Sequence, residues 1–476
     1  MVKSWGAGGC SVRRFIPALA AIAAFLAPSP AWAHAGERGQ VLLLPTELYI
    51  AGGALAVALS FAAMAMLPQR PLSKGIAIRL AAIPAGLPKI LSTASFLCLF
   101  LLVLAGWLGK PDPLSNPLPP ALWTLWWVGL TVLTAFFGNL WRILNPWIGP
   151  YCVLRPKAAA PFVYPSVLGC LPALLLFLAF AWFELVYPTP QDPSRLAMAI
   201  TLYSLVTFSG LFLFGTVWLD RGEAFTVFFS LVATLSPARW ETARQDGRVS
   251  TLNLHWPGAW LLARPPLGAS ETAFVLLALS TVSFDSLSRT FAWNSLLGVN
   301  PLEFPGRSAI LLPNTLGLLL CFAALSIAFL AALMLGRVLA RNRSRAIDTG
   351  SYALSLLPIA IAFHFAHYLP SLLLDWRIAL RALADPFDRG WDLLGLSRIR
   401  MSSPVALDHA TVTLIYNLQT LVIVLAHVAA VVAAHRLALA AAASRREAFI
   451  MQLPLTLLMI AYTVFGLWLL STPVIG

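Results

Sequence analysis

The chain has 476 residues, 59% of them hydrophobic and only 11% charged, with a formal net charge of +13. A mean hydropathy of +0.81 excludes an ordinary soluble domain and places the chain in lipid. The basic excess is scattered through short segments between apolar runs rather than gathered on one soluble surface, so a nucleic-acid partner is excluded and the charge reads as topology signal.

In chain order, residues 1–33 read as a secretory signal peptide. Lys3, Arg13 and Arg14 precede the short apolar stretch Phe15–Leu26, and Ala31-Trp32-Ala33 fits a small-x-small cleavage site. Cleavage there would make His34 the mature N-terminus, where an α-amine beside an imidazole can chelate copper. Residues 34–476 then form a single helical transmembrane domain. Its apolar runs are about 48–67, 90–108, 121–140, 167–186, 196–217, 271–290, 308–336, 353–374, 411–434 and 453–471. Most have the roughly twenty residues that cross the hydrocarbon. Pro313 in the long run 308–336 predicts a tilt or kink. The expected fold class is therefore an all-α polytopic membrane protein of about ten transmembrane helices.

Lys and Arg placement orients these spans. With the mature N-terminus outside, the inner connections hold 19 basic residues and the outer segments 10, five of those in the loop 375–410. The positive-inside rule thus predicts both mature ends extracytoplasmic. Two connections are long, the cytoplasmic loop 218–270 and the extracytoplasmic loop 375–410. In the first, Glu223–Leu235 is aromatic and apolar enough to lie along the interface or to form a short re-entrant helix. The second contains Asp385-Pro386-Phe387-Asp388-Arg389-Gly390-Trp391, with turn signals at Asp-Pro and Arg-Gly. The five cysteines form no CxxC, which argues against a disulfide framework or thiolate metal site. Walker and Rossmann glycine patterns are also missing from the sequence.

The most informative segment is Ala362-Phe363-His364-Phe365-Ala366-His367-Tyr368. Histidines three apart lie on one side of a helix, and ionisable groups at membrane depth are functional candidates by default. Counting from the cytoplasmic ends at ~1.5 Å per residue, His364, His367, Asp285, Gln419, Asn417 and Glu184 share a band roughly 16–26 Å deep. His427 lies nearer the cytoplasm and His409 at the outer mouth. Two histidines and a carboxylate can hold a divalent metal and activate a bound water. In that scheme His364, His367 and Asp285 are ligands of Zn or Cu. Asp285 doubles as general base, Asn417 and Gln419 orient water or substrate, and Glu184 is a further carboxylate. HxxH lacks the spacing and internal Glu of HExxH. Polar packing between helices, haem ligation and a permeation path through His409, His367 and His427 remain open, and Asp285 has candidate ion-pair partners in His364, His367 and Arg289.

These segments also resemble a family of bacterial multi-spanning membrane proteins known as fenitrothion hydrolase-like. The resemblance rests on Phe183–Pro188, Arg221-Gly222-Glu223-Ala224-Phe225, Ser283-Phe284-Asp285, His364–His367, Asp385–Trp391, Ala461-Tyr462-Thr463 and the leader followed by His34-Ala35-Gly36. It implies a protein of the bacterial plasma (inner) membrane that hydrolyses an apolar organophosphorus triester at its P–O–aryl bond. The implied partners are membrane lipid, an apolar small-molecule substrate and a second membrane subunit. The resemblance supplies no catalytic residues, so the site assignments rest on depth. The competing class is a membrane transport or assembly component handling copper or another metal without hydrolysis.

Overall fold

Backbone amides in hydrocarbon must be satisfied within their own segment, so an apolar chain of this kind folds as helices. The computed structural model describes residues 46–66, 78–84, 86–155, 160–242, 249–258, 261, 263–300, 306–341, 348–396 and 409–472. The expected signal peptide and His34 lie outside the described residues. Among the described residues, eight helices are long and apolar enough to cross a membrane. They are α1 (Thr46–Met66), α2 (Leu87–Leu108), α3 (Leu118–Phe137), α5 (Pro193–Phe214), α8 (Leu311–Leu339), α9 (Thr349–Ala384), α10 (His409–Ala441) and α11 (Arg445–Ser471). Two more helices stand where the remaining runs were expected. α4 (Leu171–Leu185) has 15 residues, and α7 (Ala269–Ser288) has 20.

The helices pack together as in a multi-spanning helical membrane protein. α9 is central, packed against α3, α7 and α10, while α1 packs on α10 and α11. Leu55, Leu101, Leu320 and Leu425 are exposed on the outward faces, consistent with lipid contact. α7 is different, with one face after another buried, from Phe274 to Asp285, which is why it carries polar residues that a lipid-facing helix could not. Small residues allow close approach. A Cβ at Gly466 of α11 would run into the Phe363 ring of α9, and one at Gly336 of α8 into the Met451 carbonyl.

Three local features differ from expectation. Pro313 falls in the first turn of α8, where a missing N–H costs nothing, so the helix runs on unbroken for 29 residues. The prolines that do sit inside helices are Pro358 and Pro370 of α9 and Pro454 of α11. α9 also continues to Ala384, taking the first ten residues of the expected loop 375–410 into the helix.

The 218–270 connection is structured. Glu223 caps α6 (Ala224–Val232), accepting from the Phe225 and Thr226 amides, and Phe229 and Val232 are fully buried. The stretch after Glu223 is therefore a short helix packed within the bundle. Beyond it, β2 (Ala238–Thr242) and β3 (Val249–Leu254) join β1 (Ile78–Pro84) in an antiparallel sheet of order β1-β3-β2. The all-α expectation is corrected at this point: the spans are helical, but two connections are tied by a sheet.

Candidate functional site

The polar centre is built where α4, α7 and α9 meet. α7 supplies Asp285, Ser286 and, one turn later, Arg289. α9 supplies His364, His367 and Tyr368, and Glu184 stands at the end of α4. Asp285 is buried, and both its oxygens are engaged. Arg289 Nη2 lies 2.8 Å from Oδ1, and His367 Nε2 lies 2.7 Å from Oδ2. The other imidazole nitrogen, Nδ1, is 2.9 Å from Ser286 Oγ. The Tyr368 hydroxyl lies 2.8 Å from Glu184 Oε1 and 3.0 Å from Asp285 Oδ2. A phenol has one hydrogen to give. Both contacts are hydrogen bonds at once when one of the two carboxyls carries a proton toward the phenolic oxygen, and the Arg289 ion pair on Asp285 assigns that proton to Glu184. Arg307, at the start of α8, donates from Nη1 to the Glu184 carbonyl at 2.9 Å.

This network borders a cavity of about 700 Å³. Glu184, Ser286, Arg289, Arg307, His367 and Tyr368 form its polar wall, and Trp123, Trp127 and Phe363 part of its apolar wall. The cavity reaches the connecting residues Pro113, Pro190 and Thr472. Ligand pockets commonly have volumes of roughly 300–1,000 Å³ with few, convergent polar groups.

Of the expected site residues, Asp285, His367 and Glu184 are brought together. His364 is not joined to them by a direct hydrogen bond. It sits one side round the helix, edge-on to Trp127 with ring centres 4.8 Å apart, and its Nε2 has no hydrogen-bond partner. Residues three apart on a helix diverge by about 60°, enough to aim His367 at α7 and His364 at α3. Gln419 lines the cavity, but its Nε2 donates to the Ala366 carbonyl at 2.6 Å. That carbonyl is free because Pro370, four residues on, has no N–H. Asn417, two residues from Gln419, faces another way and accepts from the Tyr49 hydroxyl at 2.8 Å. His427 spends Nδ1 on the Ile423 carbonyl of its own helix at 2.8 Å, and it faces Phe363 and Tyr462.

Of the expected metal triad, His367 and Asp285 are paired directly with each other and His364 is not brought onto them. His367 has both ring nitrogens engaged, and Asp285 has both oxygens engaged. Among the described residues, no group of three or more His, Cys, Asp or Glu side chains is placed to hold a metal ion.

Several contributors escaped the sequence reading, Arg307 among them. Ser286 and Tyr368 are hydroxyl residues of kinds common in any helix, though each adjoins a residue that was singled out. Another is local geometry: Ala121–Leu130 within α3 is a π-helix, a form frequent at functional sites, and it carries Trp123 and Trp127. No family model, curated protein or solved structure matches the chain.

Proposed function

We propose that this protein is a membrane hydrolase that cleaves neutral, apolar esters, aryl phosphotriesters among them, in the cavity beside His367. The observation that carries the reading is the buried Asp285 carboxylate 2.7 Å from His367 Nε2, with the imidazole on the cavity wall. A carboxylate so placed fixes the ring's tautomer and stabilises the imidazolium that forms when His367 takes a proton. Trp123 and Trp127 suit an aryl leaving group. Arg289 and Arg307 suit the negative charge that develops on the phosphoryl oxygen or sulfur during displacement. The resemblance to fenitrothion hydrolase-like proteins agrees with this chemistry, and no step runs through a metal.

We place the site in a ten-span protein of the bacterial inner membrane with both mature ends outside. The sheet supports this count. β1 and β3 pair, so both lie on one side of the membrane, and the chain between them must cross an even number of times. Among the described residues of that interval, α2, α3 and α5 are the long apolar helices. α4 makes the number even. It runs beside α7, joined near one end by Cys170 N–H donating to Ser270 Oγ at 2.7 Å. Near the other end, Glu184 shares Tyr368 with Asp285. A second membrane subunit belongs to the same proposal.

The test is nitrophenol release from diethyl p-nitrophenyl phosphate by the full chain in detergent, alone and in native membranes. Turnover is expected to fall roughly 10²–10⁴-fold in His367→Ala. Wild-type rates in that variant would overturn the site. A folded wild-type protein with no turnover in either setting would overturn the hydrolase reading in favour of transport or assembly, for which a buried proton-bearing network is also suited.

A further inference from the structure

Resting on the hydrolase reading, we infer that Ser286 is the attacking nucleophile and that the reaction passes through a covalent Ser286 ester. Asp285 and Ser286 are successive residues of α7, so their side chains leave the helix about 100° apart. The His367 ring spans the gap. Its Nε2 lies 2.7 Å from Asp285 Oδ2, and its Nδ1 lies 2.9 Å from Ser286 Oγ. Nε2–H donates to the carboxylate, which leaves Nδ1 bare to accept the serine proton. A carboxylate, an imidazole and a hydroxyl in series are the parts of nucleophilic ester cleavage, and such sets are recognised by geometry and role rather than chain order. Here the two ring nitrogens exchange their usual partners, which leaves the acid–base logic unchanged.

Ser286 and His367 both line the cavity, whereas Asp285 lies behind them, buried. This is the order the chemistry needs, with the reacting oxygen toward the substrate and the orienting charge away from water. The serine's other acceptor, the Val282 carbonyl, is at 3.3 Å, a longer contact than that to His367.

In the first step Ser286 Oγ attacks phosphorus while its proton passes to His367 Nδ1. The Oγ–P bond forms, the P–O(aryl) bond breaks, and the phenolate leaves with the proton from His367. In the second step water attacks phosphorus as its proton passes to Nδ1. The P–Oγ bond breaks, Ser286 recovers its proton, and the dialkyl phosphate departs. Asp285 keeps its charge throughout and is a positioning residue.

Two experiments on the full chain test this. One incubates the protein with an alkyl fluorophosphonate, which loses fluoride to a nucleophilic serine, and maps the adduct by mass spectrometry. The other follows the configuration at phosphorus for a chiral aryl phosphotriester. A serine ester implies two displacements and net retention, whereas direct attack by water implies inversion. Expected are an adduct on Ser286, retention, and a loss of roughly 10³-fold or more in kcat for Ser286→Ala. Ser286→Cys is expected to keep a thiol adduct as evidence of folding. Inversion, or near-wild-type turnover in Ser286→Ala, overturns the nucleophile while leaving the hydrolase reading in place. Absence of both adduct and turnover in folded wild-type protein overturns both.

Discussion

Tyr368 holds two carboxylates together with one hydrogen. It touches Glu184 and Asp285 at hydrogen-bonding distance, and Arg289 supplies the only guanidinium ion-paired to Asp285 among the described residues. Tyr368→Phe keeps the ring and removes the hydroxyl, leaving Glu184 Oε1 without its partner while Asp285 Oδ2 keeps His367. The expected loss of stability is about 1–3 kcal/mol, as for other buried polar groups left unsatisfied. It is measurable as a lowered denaturation midpoint in a fixed detergent. The proton assigned to Glu184 has its own signature, the infrared carbonyl stretch of a neutral carboxylic acid. That band is expected in wild-type protein and absent from Glu184→Gln. Its persistence in the variant would move the proton elsewhere. At this scale the sequence was most readable where charge is costly. Asp285, His367 and Glu184 stood out because ionisable groups are rare in apolar runs. Ser286 and Tyr368 carry no such cost and so gave no signal. The pairing of His364 with His367 misled because spacing along one helix does not reveal which neighbours each ring meets.

Helices here are broken and repaired within a few residues. Pro370 leaves the Ala366 carbonyl without an intrahelical donor, and Gln419 of α10 supplies one at 2.6 Å. Gln419 therefore reads as a brace beneath His367 rather than as a group that orients water. Gln419→Leu is expected to cost about 1–3 kcal/mol in stability, with the catalytic fall no larger than the loss of folded protein explains. A fall of 10²-fold in kcat with stability intact would return Gln419 to the chemistry. At the other edge of the bundle, Asp192 caps α5. Its carboxylate accepts from the Arg195 and Ser194 amides and from the Ser194 hydroxyl. These donors, the Arg195 amide foremost, hold its carboxyl below the ordinary carboxylate value. The cap's contribution is thus fully present above the unfolded value near ~3.9 and is lost as pH falls through the lower folded value. Asp192→Ala is expected to cost about 1 kcal/mol near neutrality. Melting curves of the variant and wild type should converge in acid, and a gap independent of pH would refute the capping role. The Gln419 brace was hidden from the sequence because a proline shows where a carbonyl is freed but not which side chain answers it.

For the whole molecule, hydropathy located the eight long apolar helices among the described residues and the positions of α4 and α7, since apolar length is the strongest signal a membrane chain carries. It did not rank them. α4 is short and ends beside Glu184 at the polar centre, and α7 is less apolar because its neighbours, not lipid, surround it. The ten-span arrangement predicts that Val167, before α4, and Gln191, after it, lie on opposite sides. In a background with Cys98, Cys152, Cys170 and Cys321 replaced, Val167→Cys and Gln191→Cys should react with an impermeant maleimide from opposite faces of oriented vesicles. Labelling from the same face would remove α4 from the crossing count. The sheet was the least readable part, because β1 is short and its partner strand lies far along the chain.

That separation gives the sheet a history as well as a place. Roughly 165 residues lie between Pro84 and Val249, so at ~5–20 residues per second β1 leaves the ribosome about 8–33 s before β3 exists to pair with it. Throughout that interval helices α2 to α6 are made while β1 waits for the strand it pairs with. The closing of the sheet is then the moment at which the two ends of the α2–α6 stretch are joined, just as synthesis approaches α7 and its Asp285 and Ser286.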